Sequence, residues 1–340
     1  MSPHDGPVRA FAPGRVNLIG DHTDHMGGPV LPMAIQLGTT VTGVRGGGRV
    51  ELTSDLLDGE VRLDLPVREP AAVAPAWGRY VAGVAAQLGT TIGLSGRVTS
   101  DLPAGAGLSS SAALEVAVAL ALGGDEVAAD PVSLARTCQA AEQAATGVPC
   151  GIMDQLASVA GVEGHALLID CSTLAVTPVP IPDHARIWVV HSGQDRALDG
   201  SAYAERRAEC ERARDELGHL PGADPDAVER LDDPVVRARA RHVRSESARV
   251  HELAAALRAG DLRTAGALMV ASHRSLREDF EVSTPALDAT VDRLLATPGV
   301  HGARLTGAGF GGCVVALTDP EVQLDGWRVD ASAGARLLEP

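Results

Sequence analysis

The stretch DLPAGAGLSSSAALEVAVALAL, from Asp101 to Leu122, runs small residues and glycines into three serines and then straight into a long apolar segment. The apolar part predicts a buried helix, and the residues before it predict an anion cradle at its N-terminus. Gly105 and Gly107 let the backbone approach a ligand closely, the serines can cap the helix, and the N–H groups of the first turn, with the helix dipole, favour phosphate. Short glycine motifs have a high false-positive rate, and a serine-capped core helix with a flexible lead-in is the plain alternative.

Upstream, APGRVNLIGDHTDHMGG (Ala12 to Gly28) packs Arg15, Asn17, Asp21, His22, Asp24 and His25 into a turn-rich stretch. Two His and two Asp suit a metal, but they lack the His-x-x-x-His spacing of a helical zinc site. Carboxylates beside an arginine also suit sugar hydroxyls, because Asp oxygens accept hydrogen bonds from adjacent hydroxyl groups. A solvated surface turn would not explain the flanking apolar NLIG and VLPMAI.

Downstream, AEQAATGVPCGIMDQLASVAG (Ala141 to Gly161) sets Asp154 just after a Pro149–Gly151 turn among apolar neighbours. A buried carboxylate needs a partner such as Arg15 or a hydroxyl, so catalysis is one reading and a helix N-cap the other. Glu142 is placed to serve a divalent cation, since Mg²⁺ is commonly held by one or two carboxylates together with substrate phosphates. LTGAGFGGCVVAL (Leu305 to Leu317) formally contains G-x-G-x-x-G, but a strand follows its glycines instead of preceding them. That order excludes a dinucleotide fingerprint and suits a loop lining a cleft.

The remaining chain bounds the chemistry. With 340 residues, two domains with a cleft between them are expected. Aromatic residues make up only 2%, so the core must be built from Ala, Val and Leu. The net charge of -15 and the absence of any basic stripe exclude a nucleic-acid partner. Lysine is absent: all 29 Lys+Arg positions are arginine, which removes the Walker A lysine, the protein-kinase strand lysine and Schiff-base chemistry. Five scattered cysteines suggest reduced thiols, and with no leader pattern and no apolar run near the ~18 residues of a membrane span, the cytoplasm and no membrane partner are expected.

Strands are expected around Val41–Val44 and Val50–Thr53, and helices after Pro75 and after Ser111. In TPVPIPDH, Pro178, Pro180 and Pro182 alternate, which suits an extended connection. The domain boundary is placed there, giving 1–178 and 183–340. In the second part ARIWVVHS reads as a strand, Tyr203–Leu217 as a charged helix, Val243, Val250, Leu253 and Leu257 as one helical face, and GCVVAL as a buried strand.

Taken together and in this order, the four segments resemble the GHMP kinase superfamily, and within it the galactokinase family. GRVNLIGDHTD resembles its signature, GAGLSSSAALE its phosphate loop, GVPCGIMDQ its catalytic-aspartate segment and TGAGFGG its third motif, with further agreement in SAYAERRAEC, RHVRSESARV and SHRSLREDFEVSTPALD. The resemblance implies two α+β domains, with the active site in the cleft between an N-terminal nucleotide-binding domain and a C-terminal domain. It implies Asp154 as the acid that accepts or orients the hydroxyl proton, Arg15 beside it, and the loop Gly105, Ala106, Gly107, Leu108, Ser109, Ser110, Ser111 and Ala112 around the phosphates of ATP. It implies Ser111 and Glu142 for Mg²⁺, and Asp21, His22, Asp24, Gly151 and Tyr203 for the sugar. Trp77 matches a tryptophan near the nucleotide, although buried packing is its local reading. Two departures fall in the sugar signature: Asp21 stands where the family usually has glutamate, and His25 where it usually has tyrosine. The expected activity is phosphorylation of galactose to galactose 1-phosphate. The alternatives are a kinase for another monosaccharide, such as a C2-modified galactose, or a sugar and ATP sensor without catalysis. A monomer is the default expectation.

Overall fold

The alternation in GPVRAFAPGRVN folds as β1 (Gly6–Asn17), with Val8, Ala10 and Ala12 buried. The computed structural model describes residues 6–103, 105–195 and 200–339. After a tight turn come β2 (Pro29–Val30), β3 (Pro32–Arg45), β4 (Arg49–Ser54), β5 (Val61–Asp64), α1 (Gly78–Leu88) and β6 (Leu94–Ser100). Strands β1, β3, β6, β4 and β5 lie side by side in that order, antiparallel except for the β4–β6 pair. The β1–β3 register slips between Pro13 and Arg15, a bulge of the kind that re-aims a side chain at the end of a strand.

Against this sheet packs α2 (Ser110–Ala128), the helix foreseen in the apolar segment. Every residue from Ala112 to Leu122 is buried, which is why the segment shows no polar face: neighbours cover it all round. Those neighbours include α1, α3 (Pro131–Thr146) and α4 (Met153–Ala160). Helix α3 starts where Asp130 accepts the N–H groups of Val132 and Ser133 and Pro131 opens the first turn.

The hairpin β7 (His165–Asp170) and β8 (Ala175–Pro180) joins β2 in a three-stranded sheet. Pro178 and Pro180, expected in an extended link, lie in β8 at the sheet's edge, where proline's missing N–H is tolerated. The chain continues through β9 (Arg186–His191), α5 (Gly200–Leu217), α6 (Pro225–Glu229), α7 (Pro234–Arg258), α8 (Leu262–Glu278), α9 (Pro285–Leu295), β10 (Val300–Leu305), β11 (Cys313–Thr318) and β12 (Trp327–Val329). The sheet here runs β10, β11, β9, β12, all antiparallel. Strand β11, read as GCVVAL, is buried along its whole length.

A division at 178/183 is crossed in two ways. The terminal strand β13 (Arg336–Leu338) returns to pair with β1, covering what would otherwise be an open edge with unpaired N–H and C=O groups. One core cluster also joins the two parts, with Val16, Leu31 and Met33 packed together with Ile187, Val189, Val250 and Val315. The segments carrying the site are therefore fixed against one another by shared burial.

Candidate active site

A cleft of about 1030 Å³ gathers residues from all four sequence segments. At its centre Arg15, at the end of β1, forks onto Asp154 in the first turn of α4: Nε donates to Oδ1 and Nη2 to Oδ2, each at 2.7 Å. The remaining Nη1 donates to the Gly107 carbonyl at 2.8 Å, and the Arg15 N–H reaches the Leu108 carbonyl at 3.1 Å. This arginine thus holds the Asp154 carboxylate and the loop before α2 in one geometry, with the specificity of a bidentate pair. The Arg15 side chain is 5% exposed and that of Asp154 30%, so the carboxylate keeps an edge open to the cleft. Asp154 is not an N-cap: Ile152 occupies that position, and the carboxylate is taken by Arg15 instead.

The loop before α2 has Gly105 and Gly107 at φ +72° and +69°, the left-handed region glycine enters without steric cost. Ser109 stands at the N-cap position, but it does not cap. Its backbone is left-handed, and its Oγ donates to Asp154 Oδ2 at 2.5 Å. The expected serine cap is therefore replaced by a hydroxyl serving the acid, while the first-turn N–H groups of α2 remain outside the helix's own ladder. Ser111 Oγ donates to Glu142 Oε1 at 3.1 Å. A hydroxyl and one carboxylate beside the glycine-rich loop are hard oxygen donors of the kind that fit Mg²⁺, which keeps its waters and takes phosphate oxygens. Among the described residues no three His, Cys, Asp or Glu converge as an all-protein metal cage. Burial, then the Asp154 charge, raises the Glu142 carboxyl above its ordinary range.

The signature turn forms the other end of the cleft. Thr23 Oγ1 lies 2.9 Å from the Gly20 carbonyl and 2.7 Å from that of Pro29, pinning the turn. From α7, Glu246 accepts the Gly20 N–H at 3.0 Å, and His242 Nε2 lies 3.1 Å from the Asp21 carbonyl. RHVRSESARV therefore earns its place by anchoring the signature. Asp24 packs against Gly151, where a Cβ would stand 2.5 Å from the Asp24 Cγ. Burial, then the neighbouring Asp154, pushes Asp24 up to about 6. His22 stacks on Phe280 at 4.5 Å between ring centroids and lies 5.7 Å from Tyr203, so an otherwise aromatic-poor chain spends two of its rings here. Burial, then His25, holds His22 well below its usual range. His25, 6.1 Å from Tyr203, has no partner for either ring nitrogen among the described residues, and burial, then Arg207, brings it down to about 3.

Asp21, which the resemblance places at the sugar, has its carboxylate already engaged by the protein. It is 2% exposed; Arg304 Nη2 pairs with its Oδ2 and the Gly307 N–H donates to its Oδ1 at 2.8 Å. The signature is thereby latched to the glycine loop, whose Gly307, Ala308, Gly309 and Phe310 line the cleft as expected. A carboxylate has about four acceptor positions, so Asp21 retains capacity for a hydroxyl. Arg304 was missed in the sequence, because nothing marks an arginine in a strand as the partner of a residue 283 positions away. Trp77 is 7% exposed and donates its Nε1–H to the Asp58 carbonyl at 3.1 Å. The packing reading holds for it, and Ala76, Arg79 and Tyr80 line the cleft instead.

This arrangement, a cradle and an acid from one part of the chain closed by a glycine loop from the other, is that of a GHMP kinase. The chain matches the GHMP kinases N terminal domain over residues 79–162, the GHMP kinases C terminal domain over 253–325 and the galactokinase galactose-binding signature over 3–45. It is 45% identical to a galactokinase of Homo sapiens over 329 residues, covering 91% of this chain and 83% of that one. It is also 45% identical to a galactokinase of Chloroflexus aurantiacus over 337 residues, covering 92% and 84%. The solved structure of Lactococcus lactis galactokinase complexed with galactose superposes with a TM-score of 0.89 at 31% identity, covering 98% of this chain and 95% of that one. A mevalonate kinase structure, 21% identical with a TM-score of 0.65, shares the fold. The chain belongs to the galactokinase family.

Proposed function

We propose that this protein transfers the γ-phosphoryl group of ATP to the anomeric hydroxyl of galactose, giving galactose 1-phosphate and ADP. The observation that carries the reading is the Arg15–Asp154 fork, held where the phosphate loop meets the galactose signature. Asp154 accepts the hydroxyl proton as the sugar oxygen bonds to the γ-phosphorus, and the bond from that phosphorus to the β,γ-bridging oxygen breaks to release ADP. Phosphoryl transfer demands positioning and charge neutralisation more than a strong base, and this chain meets that demand without lysine. Arg15 fixes the acid, Gly105–Ala112 offer backbone N–H groups to the phosphates, and Ser109 orients Asp154. Ser111 and Glu142 would hold Mg²⁺, which supplies neutralisation of phosphate charge when bound. Asp21, His22, Asp24, Gly151 and Tyr203 receive the sugar. The two parts, 1–178 and 183–340, act as the walls of the cleft. All five cysteines are unpaired, and no helix among the described residues is long and apolar enough to cross a membrane. The free thiols suit a reducing compartment such as the cytoplasm.

A second reading, a kinase for a different monosaccharide, is favoured by two observations at the sugar end. Asp21 is drawn onto Arg304, and the histidine at position 25 has two unpartnered ring nitrogens where tyrosine is usual. ADP release from Mg-ATP across a panel of monosaccharides, run beside Asp154→Ala, separates the readings. Turnover of galactose that is lost in the variant supports the proposal, and turnover of another sugar alone moves the specificity. Binding of both ligands without ADP release refutes catalysis.

A further inference from the structure

Behind the cleft lies a carboxyl group that the reaction does not touch. Glu115, in α2, is fully buried, as is Gln155 in α4, the residue following Asp154. The Gln155 amide nitrogen donates twice, to Glu115 Oε2 at 3.1 Å and to Glu142 Oε2 at 2.6 Å. Glu142 uses its other oxygen to accept from Ser111. Three helices thus meet in a chain that runs carboxyl, amide, carboxylate, hydroxyl, and only its far end reaches the cleft. No ion pair reaches Glu115 among the described residues; the charges it feels are those of Glu142 and Asp154.

Two oxygens in this chain are left over. Glu115 Oε1 and Gln155 Oε1 are both buried and, among the described residues, have no hydrogen-bond partner. An unsatisfied buried acceptor is costly, and one on each of two side chains already bonded to each other calls for a donor. One proton on Glu115 supplies it: a carboxylic acid and a primary amide pair reciprocally, the acid O–H to the amide oxygen and the amide N–H to the acid carbonyl. Burial, then the Glu142 charge, raises the Glu115 carboxyl well above its ordinary range, in keeping with such a pair.

We infer that Glu115 is a positioning residue for phosphoryl transfer: as the reciprocal partner of the Gln155 amide it fixes which face of that amide meets Glu142, and so holds Glu142 and Ser111 in register for a divalent cation. The inference rests on the phosphotransfer reading for its purpose, though not for its measurement. With an apolar side chain at 115 the amide loses its orienting partner. Gln155 is then free to turn its oxygen toward Glu142, setting acceptor against acceptor. Glutamine at 115 repeats the reciprocal pattern, because an amide also offers one donor and one acceptor to its neighbour.

The test is calorimetric binding of ADP with Mg²⁺ and in EDTA, on the full chain, for wild type, Glu115→Met, Glu115→Gln and Gln155→Met. Groups that orient a metal ligand typically affect metal affinity by about 10–100-fold. Glu115→Met and Gln155→Met are expected to lose about tenfold or more of the tightening that Mg²⁺ gives to ADP, with ADP affinity in EDTA and galactose affinity unchanged. Glu115→Gln is expected to keep the tightening within about threefold, a rescue that loss of packing alone would not distinguish from methionine. Unchanged tightening in folded Gln155→Met or Glu115→Met overturns the inference, as does a Glu115→Gln variant as impaired as methionine. If Glu115→Met does not fold, Gln155→Met and Glu115→Gln decide it. Because ADP binding is read without turnover, a failure here is separate from a wild type that does not phosphorylate galactose, which would refute the functional reading instead.

Discussion

Replacing Gly151 by alanine probes the sugar end of the cleft with a single methyl group. The added Cβ would overlap the Asp24 Oδ2 and stand 2.5 Å from its Cγ, whereas carbon atoms settle at about 3.5–4 Å, so the carboxylate must retreat by about 1.5–2 Å. Gly151 has no positive φ, so the backbone accepts alanine, and Asp24 is a short side chain whose end can swing aside. The strain is therefore relieved locally and the fold survives. If Asp24 receives the sugar as proposed, a carboxylate moved that far no longer reaches its hydroxyl, and a hydrogen bond to a charged group contributes about 1.5–3 kcal/mol. At about 1.4 kcal/mol per factor of ten, galactose KM rises about 10- to 150-fold. The Arg15–Asp154–Ser109 geometry is not touched, so kcat falls by less than about tenfold, since no group acting in the transition state has been removed. Steady-state kinetics in galactose and in ATP, with calorimetric galactose binding on the same preparation, reads both numbers. A folded Gly151→Ala protein that binds galactose with wild-type affinity would refute the placement of Asp24 against the sugar.

Four more outcomes follow from the buried charges. Arg304→Met leaves Asp21 in a site where the pair is 2% exposed or less, and breaking a buried ion pair costs about 3–5 kcal/mol; denaturant unfolding should show the loss, and an unchanged midpoint would mean the pair is not formed. Asp24 titrates at about 6 instead of 3.8, so galactose KM should be flat at alkaline pH and climb as pH falls through about 6. Because that folded value is raised, the contribution of Asp24 to stability is present below 3.8 and lost as pH rises through about 6, and Asp24→Asn should relieve the loss. Glu246 moves the other way. Burial alone would raise it, but Arg249, His242 and Arg304 bring it from 4.5 to about 2. Its contribution, about 3 kcal/mol, is full above 4.5 and lost as pH falls toward 2, and Glu246→Gln should flatten acid unfolding across that window.

The sequence by itself determined what local chemistry determines. The Ala, Val and Leu run after Ser111, broken only by Glu115, reads as a buried helix, and the glycines before it permit left-handed turns. The absence of lysine, read from composition, already left backbone amides, metal or arginine for any phosphate chemistry. Sequence also assembled the site as a set of segments, because Arg15, Ser109, Glu142 and Asp154 each lie inside a motif. Only the tertiary structure decided how they bond. Ser109 reads as a helix cap because capping is the local use of a serine there, yet Asp154, 45 residues on, takes its hydroxyl. Asp21 reads as an open sugar ligand until Arg304 comes to it from β10. Glu115 reads as one more residue of an apolar helix until Gln155 meets it from α4. Even the edge of β1 is closed by β13 from the far end of the chain. In each case the partner is remote in sequence, and no local propensity encodes it. What selects it is the need to satisfy a polar group or a strand edge once packing has removed water.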